Sequence, residues 1–236
     1  MSEELKTHET IIDVKDVDKS FIVGKNIIKA LKGVNLSVKS TDFIVLLGPS
    51  GCGKSTLFNI ILGLDKPTKG EVTIRGTKIY NLDDDERATF RSKKIGMIYQ
   101  MPYWIKSLNV IENVALPLII EGEKEDEALR HAHRTLLDIG ISDLALQTPT
   151  QLSGGQQQKV GLARALVSNP WILMADEPTG NLDSASGNEI IKIFKDLNQK
   201  YKRTILMVTH NEEYWDFGDR RIEMKDGEIV KDTNHG

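Results

Sequence analysis

Cysteine is nearly absent: Cys52 stands alone among 236 residues. That excludes an internal disulfide and fits a reducing, cytoplasmic compartment. No apolar run comes near the roughly 18 residues of a membrane-crossing helix. Any membrane-spanning part of its machinery must therefore come from another chain. The first ten residues, Met1-Ser-Glu-Glu-Leu-Lys-Thr-His-Glu-Thr10, are too polar for a secretory leader and read as a frayed tail. Excess positive charge is missing as well. A net charge of −3 argues against an electrostatic nucleic-acid binder. There is no internal repeat and no low-complexity linker. The length suits one large α/β domain, or a core carrying a subdomain.

What is present begins with Gly48-Pro-Ser-Gly-Cys-Gly-Lys-Ser55, directly behind the apolar run Phe43-Ile-Val-Leu-Leu47. The stretch fits G-x-x-x-x-G-K-[ST], a buried strand, a glycine turn and then a helix starting near Lys54. Glycines let backbone N–H groups close around an anion where a Cβ would block the approach. Lys54 adds a point charge for the β- and γ-phosphates, and Ser55 offers a hydroxyl to Mg²⁺. The helix from Thr56 to about Leu64 turns the positive end of its dipole toward the phosphates. Gly48, Ser50, Gly51, Cys52, Gly53, Lys54, Ser55 and Thr56 are thus candidate nucleotide-binding residues, and a nucleoside triphosphate with Mg²⁺ is the expected ligand.

Around this motif the pattern alternates between strands and helices. Ile11–Val14, Ile27–Leu31 and Val34–Val38 read as short strands broken by Gly24 and Gly33, and Glu71–Arg75 as a further strand of the same antiparallel sheet. Asp83–Ser92 reads as a charged helix and Ile95–Tyr99 as a buried strand. From about Gln100 to Leu166 the chain reads as mostly helical. There Leu129, Ala132, Leu136 and Ile139 share one face of a helix over Glu125–Ile139. His131 and His133 lie in that helix without clustered ligands and read as solvated surface residues. Strand 171–175, helix 184–199, strand 204–208 and a last pair, 221–224 and 228–230, return to α/β alternation.

Four apolar residues lead into Asp176-Glu177. An apolar strand delivers an acid at its carboxyl end, where α/β sheets bind ligands. Asp176 would hold Mg²⁺ opposite Ser55, and Glu177 would orient or deprotonate the attacking water. A second anion-friendly helix start is Leu152-Ser-Gly-Gly-Gln156, with Ser153 as N-cap and two glycines leaving first-turn N–H groups accessible. Alone, it reads as an ordinary cap.

The ordered set of Gly48–Ser55, Gln100, Leu152–Gln156, Ile172–Glu177, Asn181–Asp183 and His210 resembles an ATP-binding-cassette (ABC) ATPase. The resemblance runs from about Ile11 to Val230. It implies an α/β fold: a phosphate-loop NTPase (RecA-like) core with an antiparallel β-subdomain and an inserted α-helical signature subdomain. Within one ATPase domain over 1–236, the core and β-subdomain fall at 11–99 and 167–230, and the helical subdomain at 100–166. It also implies a head-to-tail homodimer burying two ATP molecules, in which Ser153, Gly154, Gly155 and Gln156 of one copy face the phosphate loop of the other. Gln100 then matches the residue sensing Mg²⁺ and water, Asp183 the loop between sites, His210 the γ-phosphate contact and Phe21 the ring on adenine.

Ala175–Asp183, Leu64–Gly70 and Glu112–Pro117 resemble the lipoprotein-release and macrolide-export branch. That implies an integral membrane transporter subunit as partner, with this chain peripheral on the inner face of the cell membrane and acting by mechanical transmission. A regulatory ATPase signalling through a membrane partner without transport is the alternative. Ser40-Thr-Asp42 departs from the family's glycine-acid turn, and Lys159 from its arginine. Two residues carry open readings. Tyr103 and Trp104 stand either in a socket for the membrane subunit or in local packing, and Cys52 is either a small filler or a reactive thiol.

Overall fold

The computed structural model describes residues 9–234. In chain order its elements are β1 (Thr10–Val23), β2 (Asn26–Lys39), β3 (Phe43–Leu47), α1 (Lys54–Ile61), β4 (Lys69–Ile74), β5 (Thr77–Lys78), α2 (Asp84–Lys94) and β6 (Ile95–Tyr99). Then follow α3 (Val110–Ile120), α4 (Glu125–Ile139), α5 (Gly154–Leu166), β7 (Ile172–Asp176), α6 (Ser184–Gln199), β8 (Thr204–Val208), β9 (Arg220–Lys225) and β10 (Glu228–Asn234). Two compact units emerge. One holds the chain up to residue 88 and from 198 onward, the other residues 89–197. The expected boundaries at 100 and 166 therefore do not coincide with these divisions. β6 and β7 pair with each other, and α5 packs on β6, so both strands group with the helices.

In the first unit, β3 is buried at every residue and runs parallel to both β8 and β9, while β10 closes antiparallel on β9. A strand flanked and covered on both faces reads as a continuous apolar run, as Phe43–Leu47 does. A separate antiparallel sheet has the order β2-β1-β4-β5. Its strands outrun expectation. Gly33 does not break β2. It sits inside the strand at φ 57, with its N–H donated to Asp18 Oδ1 at 2.7 Å. Val17 pairs with Val34 and Lys19 with Leu31, so one extra residue is absorbed there as a bulge.

The expected frayed tail does not include Glu9 and Thr10. Ser40 N–H donates to Glu9 O, and Thr10 pairs with Lys39; residues 1–8 lie outside the described residues. The helix behind the glycine turn ends at Ile61 rather than Leu64. There Gly63 turns left-handed (φ 68) and Leu64 N–H bonds back to Asn59 O, an ordinary glycine stop.

In the second unit β6 and β7 are parallel, in the register Ile95↔Ile172 through Tyr99↔Asp176. The helices close their own core of Val114, Leu118, Ala128, Ala132, Leu136, Val160 and Ala163. Ala128, Ala132 and Leu136 form the buried line of α4, with Leu129 and Ile139 partly buried beside it. Truncating Leu136 to Ala would cost about 2–5 kcal/mol. His131 and His133 are exposed, and His131 Nδ1 lies 2.9 Å from Glu123 Oε1. Among the described residues no helix is long and apolar enough to cross a membrane, and no three His, Cys, Asp or Glu side chains cluster as metal ligands.

Candidate nucleotide-binding site

Two glycines of the loop leaving β3, Gly48 and Gly53, stand where a Cβ has no room. Gly48 sits at φ 151, and a Cβ there would lie 2.3 Å from Met224 O and 2.7 Å from Cys52 Sγ. Gly53 sits at φ 108, with a Cβ position 2.6 Å from Ala30 O. Ser50 and Gly51 are exposed at the tip. Lys54 is buried and folds back on the loop, its Nζ donating to Gly48 O at 2.6 Å and Pro49 O at 3.0 Å. The first turn of α1 has no side-chain cap and no acidic residue. Its N–H groups and the positive helix end suit an anion. Ser55 is exposed on that turn, with Thr56 half-buried behind it.

Cys52 is 4% exposed, and its backbone N–H and C=O bond to Pro49 O and Gly227 N. It is the small filler of the two readings.

His210 leaves the sheet beside this loop. β8 is the parallel neighbour of β3, with Leu46 opposite Val208, so His210 and Gly48 lie at equal steps beyond paired residues. Thr209 is buried, and its N–H bonds to Leu46 O at 3.2 Å; His210 itself is exposed. Phe21 lies on β1 opposite Ile28. Ile28 is two residues, about 7 Å along a strand, from Ala30, whose carbonyl touches Gly53. The Phe21 ring is 38% exposed, and the Lys19 ammonium stands 4.9 Å from its centroid.

The second unit holds the remaining candidates, with Gln100, Asp176 and Glu177 at the carboxyl ends of β6 and β7. Because Tyr99 pairs with Asp176, Gln100 and Glu177 exit side by side. Gln100 Nε2 donates to Asn181 Oδ1 at 3.2 Å, and a Cβ on Gly180 would lie 2.7 Å from the same nitrogen. Glu177 adopts φ 49, left-handed for a residue with a Cβ. Such a conformation costs about 1–3 kcal/mol and collects at working sites.

Asp183 starts α6. Its carboxylate accepts from Ser186 N at 3.0 Å and Ser186 Oγ at 2.8 Å. The Ser186 backbone N–H, then its hydroxyl, hold the Asp183 pKa below the usual carboxylate range. The signature start lies against that turn, a Cβ on Gly155 falling 3.0 Å from Ser186 Oγ and one on Gly154 3.5 Å from Leu182 Cδ2. Ser153 and Gln156 form a reciprocal capping box, Gln156 N to Ser153 Oγ at 3.3 Å and Ser153 N to Gln156 Oε1 at 2.9 Å. The Gly154 and Gly155 N–H groups take no part in it. Lys159 reaches Glu189 at 2.7 Å, a point contact needing no guanidinium fork.

Trp104 follows the local-packing reading, and Tyr103 also packs locally, its ring edge-to-face with Tyr99 at 5.9 Å. Tyr103 is 76% exposed, whereas Trp104 packs on the helical core. Sequence reasoning missed Gln158, Asn113 and Arg164, which brace the Gln100 segment. Gln158 sits in a polar run, and nothing in that run signals burial.

A buried-strand glycine loop and a second helix start, capped by Ser153 and opened by two glycines, in one chain describe a cassette-type ATPase. The ABC transporter family model matches residues 31–180. The chain belongs to the ABC transporter family, and it is an ATP-binding ATPase of that family. MJ0796, an ABC transporter ATP-binding protein of Methanocaldococcus jannaschii, is 45% identical over 94% of this chain and 96% of its own. Its dimeric post-hydrolysis structure bound to ADP and Pi matches with a TM-score of 0.88 at 43% identity, covering 96% and 99% of the two chains. The macrolide export ATP-binding/permease protein MacB of Aggregatibacter actinomycetemcomitans is 43% identical over 94% of this chain but only 34% of its own length. The lipoprotein-releasing ATP-binding protein LolD 1 of Chlorobium chlorochromatii is 38% identical over 94% and 92%.

Proposed function

We propose that two copies of this chain pair head to tail around two ATP molecules and so drive a separate membrane subunit of the lipoprotein-release or macrolide-export type. The observation that carries this reading is that one chain holds two anion-ready helix starts, at Lys54 and at Gly154, each in its own unit. In a head-to-tail pair, Ser153, Gly154 and Gly155 of one copy complete the γ-phosphate site built on Gly48–Thr56 of the other. The dimeric state of the MJ0796 cassette supports it. The chain then sits peripherally on the inner face of the membrane, held by its partner.

The oxygen donors of Ser55 and Asp176 fit Mg²⁺, which takes one or two protein ligands and completes its shell with phosphates and water. No cluster of three acidic or imidazole ligands is needed for that, and none occurs among the described residues. When bound, Mg²⁺ neutralises charge on the phosphates. The chain's own residues do the rest. Lys54 and the first-turn N–H groups of α1 bind the β- and γ-phosphates, where fixed charge supplies much of the acceleration. Glu177 takes the proton of the attacking water or orients it. Gln100, beside Glu177, holds that water and the metal shell, and His210 contacts the γ-phosphate. Phe21 offers a ring face to adenine, and Asp183 links the signature start to the neighbouring site.

Glu177→Gln tests the reading. Nucleotide binding should persist, turnover should vanish, and Mg-ATP should convert the variant to a dimer on size exclusion. A variant that keeps near-normal turnover removes Glu177 from its role. A variant that never dimerises overturns the head-to-tail site.

A further inference from the structure

One face of α5 grips the segment that carries Gln100. Gln158, 2% exposed, donates Nε2 to the carbonyl of Tyr99 at 2.9 Å. Gln157 Oε1 accepts the indole N–H of Trp104 at 3.1 Å. Arg164 donates to the carbonyl of Tyr103 at 2.5 Å, and its guanidinium lies 4.7 Å from the centroid of the Trp104 ring. Between these contacts Gly161 brings the helix close, a Cβ there lying 3.4 Å from Pro102 Cγ. Residues 157, 158, 161 and 164 share one helical face, and together they touch 99, 102, 103 and 104. The far end of the segment is pinned separately. Asn113, fully buried, binds Ile105 N and the carbonyls of Ile105, Leu108 and Asn109 through its carboxamide.

We infer that Gln157, Gln158 and Arg164 are positioning residues that hold Gln100 beside Glu177, so that the Ser153–Gly155 helix start and Gln100 move as one piece. The inference rests on the role proposed above for Gln100. Its physical basis is that Gln100 is exposed and its side-chain amide bonds to Asn181 at 3.2 Å, the outer end of the ordinary range. An exposed side chain with that contact takes its place largely from its backbone. Its backbone is fixed by the carbonyl immediately before it and by three residues shortly after it, all from the helix that begins with the signature. Any tilt of α5 on engaging a second copy's nucleotide therefore moves the Gln100 backbone directly.

The test combines kinetics with a double-mutant cycle on the full chain. Gln158→Met keeps volume and removes the donor. It should lower kcat roughly tenfold or more, as small misplacements of reacting groups do, with KM within about twofold. On a Gln100→Ala background the same substitution should add nothing, because both changes act through one group. Unchanged kcat in Gln158→Met, or additive losses in the double variant, overturns the inference while leaving the Gln100 role intact. Full turnover in Gln100→Ala overturns that role itself and leaves nothing to position.

Gln157 supplies a second, independent arm. In a Trp171→Phe/Trp215→Phe background, Trp104 emission should shift with Gln157→Met and return with Gln157→Glu, which retains the acceptor oxygen. Hydrogen exchange should show the amides of residues 100, 101, 103 and 104 and those of 154–158 changing protection together when Mg-ATP is added, and separately in Gln157→Met. Independent changes in the unsubstituted chain would overturn the proposal whatever its turnover.

Discussion

The ammonium of Lys54 lies 2.6 Å from the carbonyl oxygen of Gly48, the residue that opens the loop Lys54 closes. The loop's cation is thus tethered to the loop's own backbone, at Gly48 O and at Pro49 O. Lys54→Met removes a charge-assisted bond worth about 1.5–3 kcal/mol. ATP affinity by calorimetry should fall roughly ten- to a hundredfold. Lys54→Arg should restore little of it, because a planar fork does not substitute for a compact ammonium on two adjacent carbonyls.

The glycines of the loop are not equivalent. A methyl at Gly48 meets backbone at 2.3 Å, whereas one at Gly51 meets nothing within 4 Å and bears only the strain of φ 78. Gly48→Ala should cost about 3 kcal/mol or more in urea unfolding, and Gly51→Ala about 1 kcal/mol. Equal losses would contradict the packing described for Gly48.

Burial of Cys52 predicts slow chemistry. Thiol reagents should label the native chain far more slowly than the urea-unfolded chain, and Mg-ATP should slow the reaction further. Once labelled, the loop can no longer close around phosphate, so ATP binding should be lost. Immediate stoichiometric labelling in native buffer, or full ATPase activity after labelling, would refute this.

Asp183 sets a pH test. Its folded pKa is depressed by the Ser186 N–H and hydroxyl. Its contribution to stability is therefore complete above the unfolded carboxylate value of about 3.9, and is lost as pH falls through the lower folded value. The stability gap between the parent chain and Asp183→Asn should be widest near pH 6 and shrink at pH 3. A gap that widens on acidification would reverse the assigned sign.

Where one physical signal dominated, the sequence was legible. α4 and α6 occupy the expected 125–139 and 184–199, because each carries a helical stripe with a start or stop of its own. β8 was readable as a short apolar run between polar flanks. Gly33 misled because a glycine in a strand marks either an end or a bulge, and the choice depends on Asp18, fifteen residues away. In the candidate site the glycine loop and the Asp176–Glu177 pair could be read locally. The brace around Gln100 could not. It joins Trp104 to Gln157 and Tyr99 to Gln158 across more than fifty residues, and a buried glutamine looks like any other in a polar run.

Two of the three hydrogen bonds that α5 makes to this segment end on main-chain carbonyls, those of Tyr99 and Tyr103. Carbonyls are the same in every amino acid, so those attachments are blind to the side chains at Met101 and Tyr103, both largely exposed. Such a mount lets those side chains be exchanged over evolutionary time without loosening what holds Gln100. The segment is a fixed mount whose outer surface can be recut.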